Sequence, residues 1–207
     1  MITDTILASG SPRRRELLDK AGVHYTVFKS DVDESLDDDL RADPAKAAET
    51  LAQRKAGAAV QALLAQPYLG QATIIGADTM VVLDGEVFGK PKFAEDAKNM
   101  LRKLSGRTHQ VITGVAVWRV LATAPDKISM AHREFHEISQ VTFKELTEEQ
   151  IAAYVATGES RDKAGAYGIQ GEGGKLVASY EGDYDNIVGL PVHKLLELFP
   201  DLVDSQN

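Results

Sequence analysis

The sequence predicts an α/β protein with a mixed β-sheet flanked by helices. Helical and strand-like patterns alternate along the 207 residues, and two long strand-like segments follow each other between residues 108 and 143. Strands joined by a short turn pair antiparallel, whereas strands separated by a helix favour parallel pairing. No internal repeat or linker divides the chain, and its length suits one core. Residues 1–207 are therefore predicted to form a single domain.

The N-terminal region predicts a strand, a tight turn and a helix. An apolar strand at residues 5–8 leads into Ser9-Gly10-Ser11, and Pro12 suits the first position of a helix that Ser11 would cap. Free backbone N–H groups and the helix dipole attract anions at such a helix N-terminus. This turn is therefore a candidate phosphate site.

Three arginines follow the turn, and helical spacing separates them. At about 100° per residue, Arg13 and Arg14 lie on the same side as Leu17 and Leu18, whereas Arg15 projects away. We expect the first two to border the turn and Arg15 to be solvated. The alternative, an ordinary basic helix surface, is common for such runs.

Most of the formal net charge of −8 lies in one segment. Residues 31–43 contain seven acids and a single base, Arg41, and so contribute −6, which leaves −2 for the rest of the chain. Asp37, Asp38 and Asp39 are predicted to be a solvated loop before a helix. Asp33 and Glu34 lie closer to a predicted strand at residues 24–29, so they are candidates to face a cleft.

A long alanine-rich and leucine-rich helix is predicted for residues 44–65. Lys55 is placed about 40° from Leu51 on its apolar side. The lysine either extends to solvent or reaches a buried anion. The predicted apolar stripe consists of Ala47, Leu51, Ala58 and Ala62.

The next segment predicts a hairpin with a carboxylate inside it. Two apolar runs flank Asp78, and Asp84-Gly85 is a strong turn signal. A carboxylate between strands is costly unless it meets a cation, a metal or converging donors, so Asp78 is the candidate catalytic residue. Lys90 follows the hairpin and either closes over the same site or lies on the surface.

The remaining elements complete an α/β pattern. Helices are predicted at residues 93–105, 147–157 and 191–199, and strands at residues 108–121 and 128–143. His132, Glu134 and His136 alternate on the last strand and are read as a solvent-exposed stripe, because their spacing matches no metal motif. The glycine-rich residues 162–171 are predicted to form a close-packed turn that directs Tyr167 or Gln170 into a pocket.

Composition excludes several classes of function. The chain has no cysteine, which excludes disulfide scaffolds, cysteine-based zinc sites and thiol nucleophiles and favours a reducing, cytoplasmic location. A pI near 5.1 argues against loose binding to nucleic acid. No apolar run approaches the length that spans a membrane.

Five ordered blocks of the sequence together resemble one known family. The blocks are ILASGSPRRRELL at 6–18, IIGADTMVVLDGEVFGKP at 74–91, LSGRTHQVITGVAV at 104–117, DKAGAYGIQG at 162–171 and NIVGLPV at 186–192. They resemble the Maf family of nucleoside triphosphate pyrophosphatases. The resemblance implies a fold similar to the inosine triphosphatase-like (Maf/Ham1) group, an α/β structure with two lobes and a central cleft. It also implies hydrolysis of a nucleoside triphosphate to the monophosphate and pyrophosphate with a divalent cation, Mg²⁺ or Mn²⁺.

The resemblance also assigns roles to individual residues. Asp78 matches the proton acceptor of the family, and Arg13, Thr79 and Gln170 match positions used for substrate selection. Thr79 and Gln170 are typical of the branch that acts on dTTP and UTP, whereas the branch acting on 7-methyl-GTP has a GSDQ-like block that is absent here. Further polar positions around the family cleft match Ser9, Arg14, Glu34, Lys55 and Lys90.

These observations combine into one functional hypothesis. We expect the substrate to be dTTP, UTP or a modified pyrimidine nucleotide, with its phosphates held by the helix N-terminus and by Arg13, Arg14, Lys55 and Lys90. A divalent ion is expected near Glu34 or Asp78. Asp78 is expected to be the general base. The alternatives are a non-catalytic nucleotide-binding regulator of septum formation and cell division, a 7-methyl-GTP-type pyrophosphatase, and a phosphatase that removes only the terminal phosphate. The sequence leaves open whether the chain forms a homodimer.

Overall fold

A seven-stranded mixed sheet forms the centre of the structure, a computed structural model that describes residues 3–204. The strand order is β2-β1-β3-β5-β6-β7, and β4 pairs with β3 beside this path. β1 pairs parallel with β2 and β3, and the pairs β3–β4, β3–β5, β5–β6 and β6–β7 are antiparallel, so the predicted mixed α/β fold is confirmed. The strands are β1 (Thr3–Leu7), β2 (Thr26–Val27), β3 (Gly70–Leu83), β4 (Glu86–Phe88), β5 (Thr108–Ala124), β6 (Lys127–Phe143) and β7 (Val177–Glu181).

Helices flank this sheet and account for the predicted helical segments. Three short 3-10 segments, at residues 159–162, 164–166 and 171–176, form the glycine-rich region. Within the described residues, no helix is both long and apolar enough to cross a membrane. The helices are α1 (Pro12–Lys20), α2 (Asp38–Ala42), α3 (Pro44–Leu64), α4 (Ala94–Leu104), α5 (Glu148–Ala156), α6 (Tyr184–Val188), α7 (Val192–Leu198) and α8 (Asp201–Asp204).

Some boundaries differ from the sequence prediction, for local reasons. The predicted strand at residues 24–29 shortens to Thr26–Val27, because it lies at the sheet edge and pairs only with β1. Three of the observed helices, α2, α6 and α8, have only four or five residues and leave no periodic pattern to detect. Ser11 is the N-cap of α1 but makes no side-chain cap hydrogen bond; its backbone N–H donates to Ser9 Oγ instead, at 3.2 Å.

The long helix α3 lies directly against the sheet because two strand positions have no side chain. A Cβ atom at Gly114 would lie 2.2 Å from the backbone carbon of Ala48, and one at Gly76 would lie 2.3 Å from the carbonyl oxygen of Ala52. The predicted stripe was partly wrong, since Ala58 and Ala62 are only half-buried. The helix face that packs on the strands is built largely from alanine: Ala47, Ala48, Leu51, Ala52, Ala56, Ala59 and Val60.

Two groups of buried side chains share strands β3 and β5 and leave a cleft between them. One group includes Leu101 of α4 and Ile151 of α5, and the other includes Leu18 of α1 and Leu195 of α7. Both groups contribute residues to the wall of the same cavity. The structure thus has two lobes around one cleft.

The polar stripe predicted on β6 is only partly exposed, which corrects its reading as a solvated face. Its members are His132, Glu134 and His136. The N-terminal end of α3 lies against this strand, so Lys46 Nζ binds the Glu134 carboxylate at 3.2 Å and Glu49 contacts His136 Nδ1 at 2.8 Å. His132 stacks on Trp118 with ring centroids 4.4 Å apart. In the described residues no three His, Asp or Glu side chains converge as a metal group would.

Candidate functional site

One cavity of about 500 Å³ lies in the cleft between the two lobes. We refer to it as the cleft cavity; it is bordered by the β1–α1 turn, residues 29–34, the middle of β3 and residues 162–170. All the site residues predicted from the sequence line it: Ser9, Arg13, Arg14, Glu34, Lys55, Asp78, Thr79, Lys90 and Gln170. The lining holds six cationic side chains and three carboxylates, a net formal charge of +3 in a chain of net charge −8.

Lys55 joins two carboxylates that line this cavity. Its Nζ lies 2.5 Å from Asp78 Oδ1 and 2.7 Å from Glu34 Oε1. The side chains of Lys55 and Asp78 are only 12% and 13% exposed, so this contact is shielded from water. Of the two alternatives for this lysine, the structure shows the one in which it reaches a buried anion. In the described part of the chain Asp78 Oδ2 accepts no hydrogen bond, and it is not enclosed by protein atoms.

Glu34 extends into the cavity from the acidic segment, and its charge is stabilised there. Partial burial acts to raise its pKa, but the hydrogen bond and charge of Lys55, with Lys90 and Arg14, lower the pKa below the ordinary glutamate value. Lys90 Nζ lies 3.9 Å from Glu34 Oε2 and is 60% exposed. By contrast, Asp33 turns back onto Ser35, and Asp37 caps α2.

Arg14 is committed mainly to contacts within the protein. Its Nε donates to the carbonyl oxygen of Gly189 at 2.7 Å, Nη1 to Ser9 Oγ at 3.1 Å and Nη2 to Thr79 Oγ1 at 3.1 Å. Three of about five guanidinium N–H groups are therefore used. Burial lowers its pKa, with partial compensation from Asp78. Only the remaining donors of Arg14 are left for the predicted role as a phosphate clamp. Arg15 is exposed, as expected.

Arg13 connects the turn to the opposite lobe. Its Nη1 lies 3.6 Å from Asp162 Oδ2, and the same carboxylate binds Lys163 Nζ at 2.8 Å through Oδ1. Lys163 also donates to the carbonyl oxygen of Glu159. These ion-paired side chains line the cavity, and two of them, Asp162 and Lys163, belong to the glycine-rich block.

Two cations of the cavity were missed by sequence reasoning. Lys163 belongs to the block DKAGAYGIQG, in which the glycines predicted a turn and nothing distinguished the lysine from a surface residue. The aliphatic stem of Lys29 lies along Gly10, with three side-chain carbons between 3.5 and 3.8 Å from where a Cβ of that glycine would be. The sequence indicated nothing about Lys29 beyond its position at the end of the strand predicted for residues 24–29.

The glycine-rich turn directs both predicted side chains into the cavity. Gly165 has a φ of +65°, and a Cβ there would lie 2.9 Å from the Val81 side chain, so the turn needs a glycine. Tyr167 and Gln170 both line the cavity. Tyr167 is buried, which raises its pKa, and its hydroxyl lies 2.7 Å from His109 Nε2.

His109 is the buried residue that should make stability depend on pH. Burial lowers its pKa to about 4, whereas an unfolded histidine titrates near 6.5. Between these values the unfolded chain binds the proton and the folded chain does not. The contribution of His109 to the free energy of unfolding is therefore complete above pH 6.5 and is lost as the pH falls toward 4.

Urea unfolding at pH 7 and pH 5 measures this effect. From pH 7 to pH 5, the wild type should lose about 2 kcal/mol more of its free energy of unfolding than the variant His109→Gln. An exposed histidine, His24, provides the matched control, and His24→Gln should behave as the wild type. Equal losses in the wild type and His109→Gln would contradict the prediction.

Comparison with known proteins identifies the family. The model of a family described as Maf-like protein matches residues 4–202. The chain belongs to the Maf family. As a Maf-family member it is similar over nearly its whole length to curated relatives, so the predicted resemblance is confirmed.

Three of these Maf-family relatives are named dTTP/UTP pyrophosphatase. The protein of Moorella thermoacetica is 49% identical over 193 residues, which cover 93% of this chain and 92% of the relative. That of Symbiobacterium thermophilum is 49% identical over 194 residues, with coverage of 93% and 91%. That of Bacillus cytotoxicus is 44% identical over 191 residues, with coverage of 92% and 91%.

Two solved structures match this Maf-family chain at low similarity. One is the nucleoside-triphosphatase, or dITP/XTP pyrophosphatase, of Mycobacterium abscessus, with a TM-score of 0.37, 14% identity and coverage of 69% of this chain and 75% of that one. The other is the Ham1 protein of Staphylococcus aureus, with a TM-score of 0.37, 14% identity and coverage of 68% and 71%. The family assignment rests on the sequence matches alone.

Proposed function

We propose that this chain is a nucleoside triphosphate pyrophosphatase that hydrolyses dTTP and UTP to the monophosphate and pyrophosphate. The observation that carries the proposal is the pairing of Asp78 and Glu34 through Lys55 inside a cavity of net positive charge. The names of the Maf-family relatives support the choice of dTTP and UTP. Modified pyrimidine nucleotides of similar shape belong to the same proposal, as does a cytoplasmic location.

The cavity charge suits a polyphosphate. A nucleoside triphosphate carries about four negative charges when fully ionised, and attack at phosphorus requires that charge to be neutralised. Arg13, Lys29, Lys90 and Lys163 border the cavity together with the N-terminus of α1. We assign phosphate binding to these groups and to the free donors of Arg14. The acidic segment does not oppose this, because its aspartates at 37–39 are exposed outside the cavity.

The donor set also fits a divalent cation. Carboxylate oxygens are the protein ligands that Mg²⁺ and Mn²⁺ prefer, and Mg²⁺ is commonly bound by one or two carboxylates together with substrate phosphates. Glu34 and Asp78 are two carboxylates that converge on one ammonium group, so these two residues would hold the ion. When bound, the ion would neutralise phosphate charge at the reacting centre.

Asp78 is assigned the role of general base. A water molecule held by Oδ2 transfers a proton to the carboxylate while its oxygen bonds to the α-phosphorus. The bond from the α-phosphorus to the bridging oxygen then breaks, and pyrophosphate leaves with the electron pair. Lys55 keeps Oδ1 occupied, so that Oδ2 is the oxygen available for the proton.

The test is product analysis with a panel of nucleoside triphosphates. Purified protein with MgCl₂ or MnCl₂ should release pyrophosphate and the monophosphate from dTTP and UTP, with higher kcat/KM than from 7-methyl-GTP. Release of orthophosphate and a diphosphate would instead indicate a phosphatase. Nucleotide binding by calorimetry without any product would indicate the regulator, and either outcome contradicts the proposal.

A further inference from the structure

The hydroxyl of Thr79 donates its only proton inside the protein. Thr113 Oγ1 donates to the carbonyl oxygen of Asn186 at 2.9 Å, so its proton is already used. The 2.9 Å contact between the hydroxyls of Thr79 and Thr113 therefore has Thr79 as the donor. Arg14 Nη2 donates to Thr79 Oγ1 at 3.1 Å. One lone pair of Thr79 is left for the cavity that it lines.

Buried contacts fix which of the two threonine hydroxyls donates and which accepts. Thr113 and Asn186 are both fully buried. The Asn186 side chain accepts from the backbone N–H of Thr113 at 3.1 Å and donates to the Val111 carbonyl oxygen at 3.0 Å and to Ser139 Oγ at 2.9 Å. With both ends of its amide occupied, Asn186 keeps its backbone in place to receive the Thr113 proton. The direction of the Thr79 hydrogen bond is thereby set by residues outside the cavity.

We propose that Thr113 and Asn186 are positioning residues that make Thr79 a hydrogen-bond acceptor toward the bound nucleotide, and that this selects a base presenting an N–H group. The inference rests on the proposed function. Phosphate oxygens are acceptors, so the free lone pair of Thr79 does not suit them. The imide N–H at position 3 of uracil and thymine supplies the donor that this lone pair needs. Cytosine presents a lone pair at the same ring position and is disfavoured.

The experiment compares UTP, CTP and N3-methyl-UTP with the wild type, Thr113→Val and Thr113→Ser. Valine frees the Thr79 proton, which can then be donated to N3 of cytosine. The UTP-to-CTP ratio of kcat/KM should be about tenfold or more in the wild type and fall about tenfold in Thr113→Val. N3-methyl-UTP has neither a proton nor a lone pair at N3, so its ratio to UTP should not change. Thr113→Ser restores the hydroxyl and should retain both wild-type ratios.

Each alternative result overturns the inference in a recognisable way. An unchanged UTP-to-CTP ratio in Thr113→Val means that the Thr79 proton does not govern base selection. A parallel fall in both ratios means that the substitution only loosened the cavity. Affinities of the α,β-methylene analogues of UTP and CTP, measured by calorimetry, give the same comparison without turnover. If the wild type releases no pyrophosphate from UTP, the proposed function fails while these affinities still decide the role of Thr113.

Discussion

Replacing Asp78 by Asn is expected to lower kcat by about 10²–10⁴-fold with little change in KM. The amide keeps the size of the carboxylate but cannot accept a proton from water. Glu34 still holds Lys55 at 2.7 Å, so the centre of the cavity should retain its arrangement. Steady-state pyrophosphate release from dTTP or UTP measures the effect, and the melting temperature verifies that the variant is folded.

Asp126→Asn is the matched control for this substitution. Asp126 is exposed in the turn between β5 and β6, outside the cleft cavity, and its replacement should leave kcat unchanged. If Asp78→Asn turned over dTTP and UTP at the wild-type rate, Asp78 would have no part in activating the water. A loss confined to KM would limit Asp78 to nucleotide or metal binding and would exclude it as the general base.

Replacing Gly114 by Ala is expected to lower the free energy of unfolding by about 3 kcal/mol and to reduce activity in the protein that still folds. Gly114 is the direct cross-strand partner of Asp78 on β5, and its added methyl group would lie 2.2 Å from the Ala48 backbone carbon. Backbone cannot rotate out of the way as a side chain can. The helix α3 must therefore move away from the sheet, and Lys55 moves with it.

Gly57→Ala, on helix α3, is the matched control and is expected to stabilise the protein. Apart from its chain neighbours and the adjacent backbone of its own helix, no atom lies within 4 Å of a Cβ built at Gly57, so the methyl group meets open space. Alanine in a helix interior is favoured over glycine, so this variant should gain about 0.5–1 kcal/mol of stability and keep full activity. Urea unfolding followed by circular dichroism compares the two variants. If Gly114→Ala were as stable as the wild type, the close contact between α3 and the sheet would be refuted.

The local pattern of the sequence was sufficient for most secondary structure. The capping box at the start of α5 is formed by Thr147 and Gln150, residues three positions apart that interact within one turn. The hairpin turn at Asp84-Gly85 likewise depends on the conformations of its own residues, both of which have positive φ. Such features are set by neighbours in sequence, so they can be read without knowing the fold.

The same kind of reasoning failed where the partner is distant in sequence. The stripe on β6 was read as exposed because nothing near it in sequence indicated that the start of α3, some ninety residues earlier, would supply Lys46 and Glu49. The buried face predicted for α3 was partly wrong for a similar reason. Alanine contributes a weak periodic signal, and glycines in strands β3 and β5 decided which alanines the sheet would bury.

The types of residue and their local patterns limit the chemistry that the chain can carry; both can be read from the amino-acid sequence. The sequence excludes thiols, places Asp78 between apolar strands and sets Lys55 on an apolar helix face. Its five ordered blocks contain every predicted site residue except Glu34 and Lys55. How these groups meet depends on the packing of segments that are remote in sequence. This packing brings Lys55 between Asp78 and Glu34, adds Lys29 and Lys163 to the cavity and directs the proton of Thr79 toward Thr113. The physical reason is that hydrogen bonds and ion pairs depend on distance and direction to within a fraction of an ångström. Those quantities arise only when remote segments pack together.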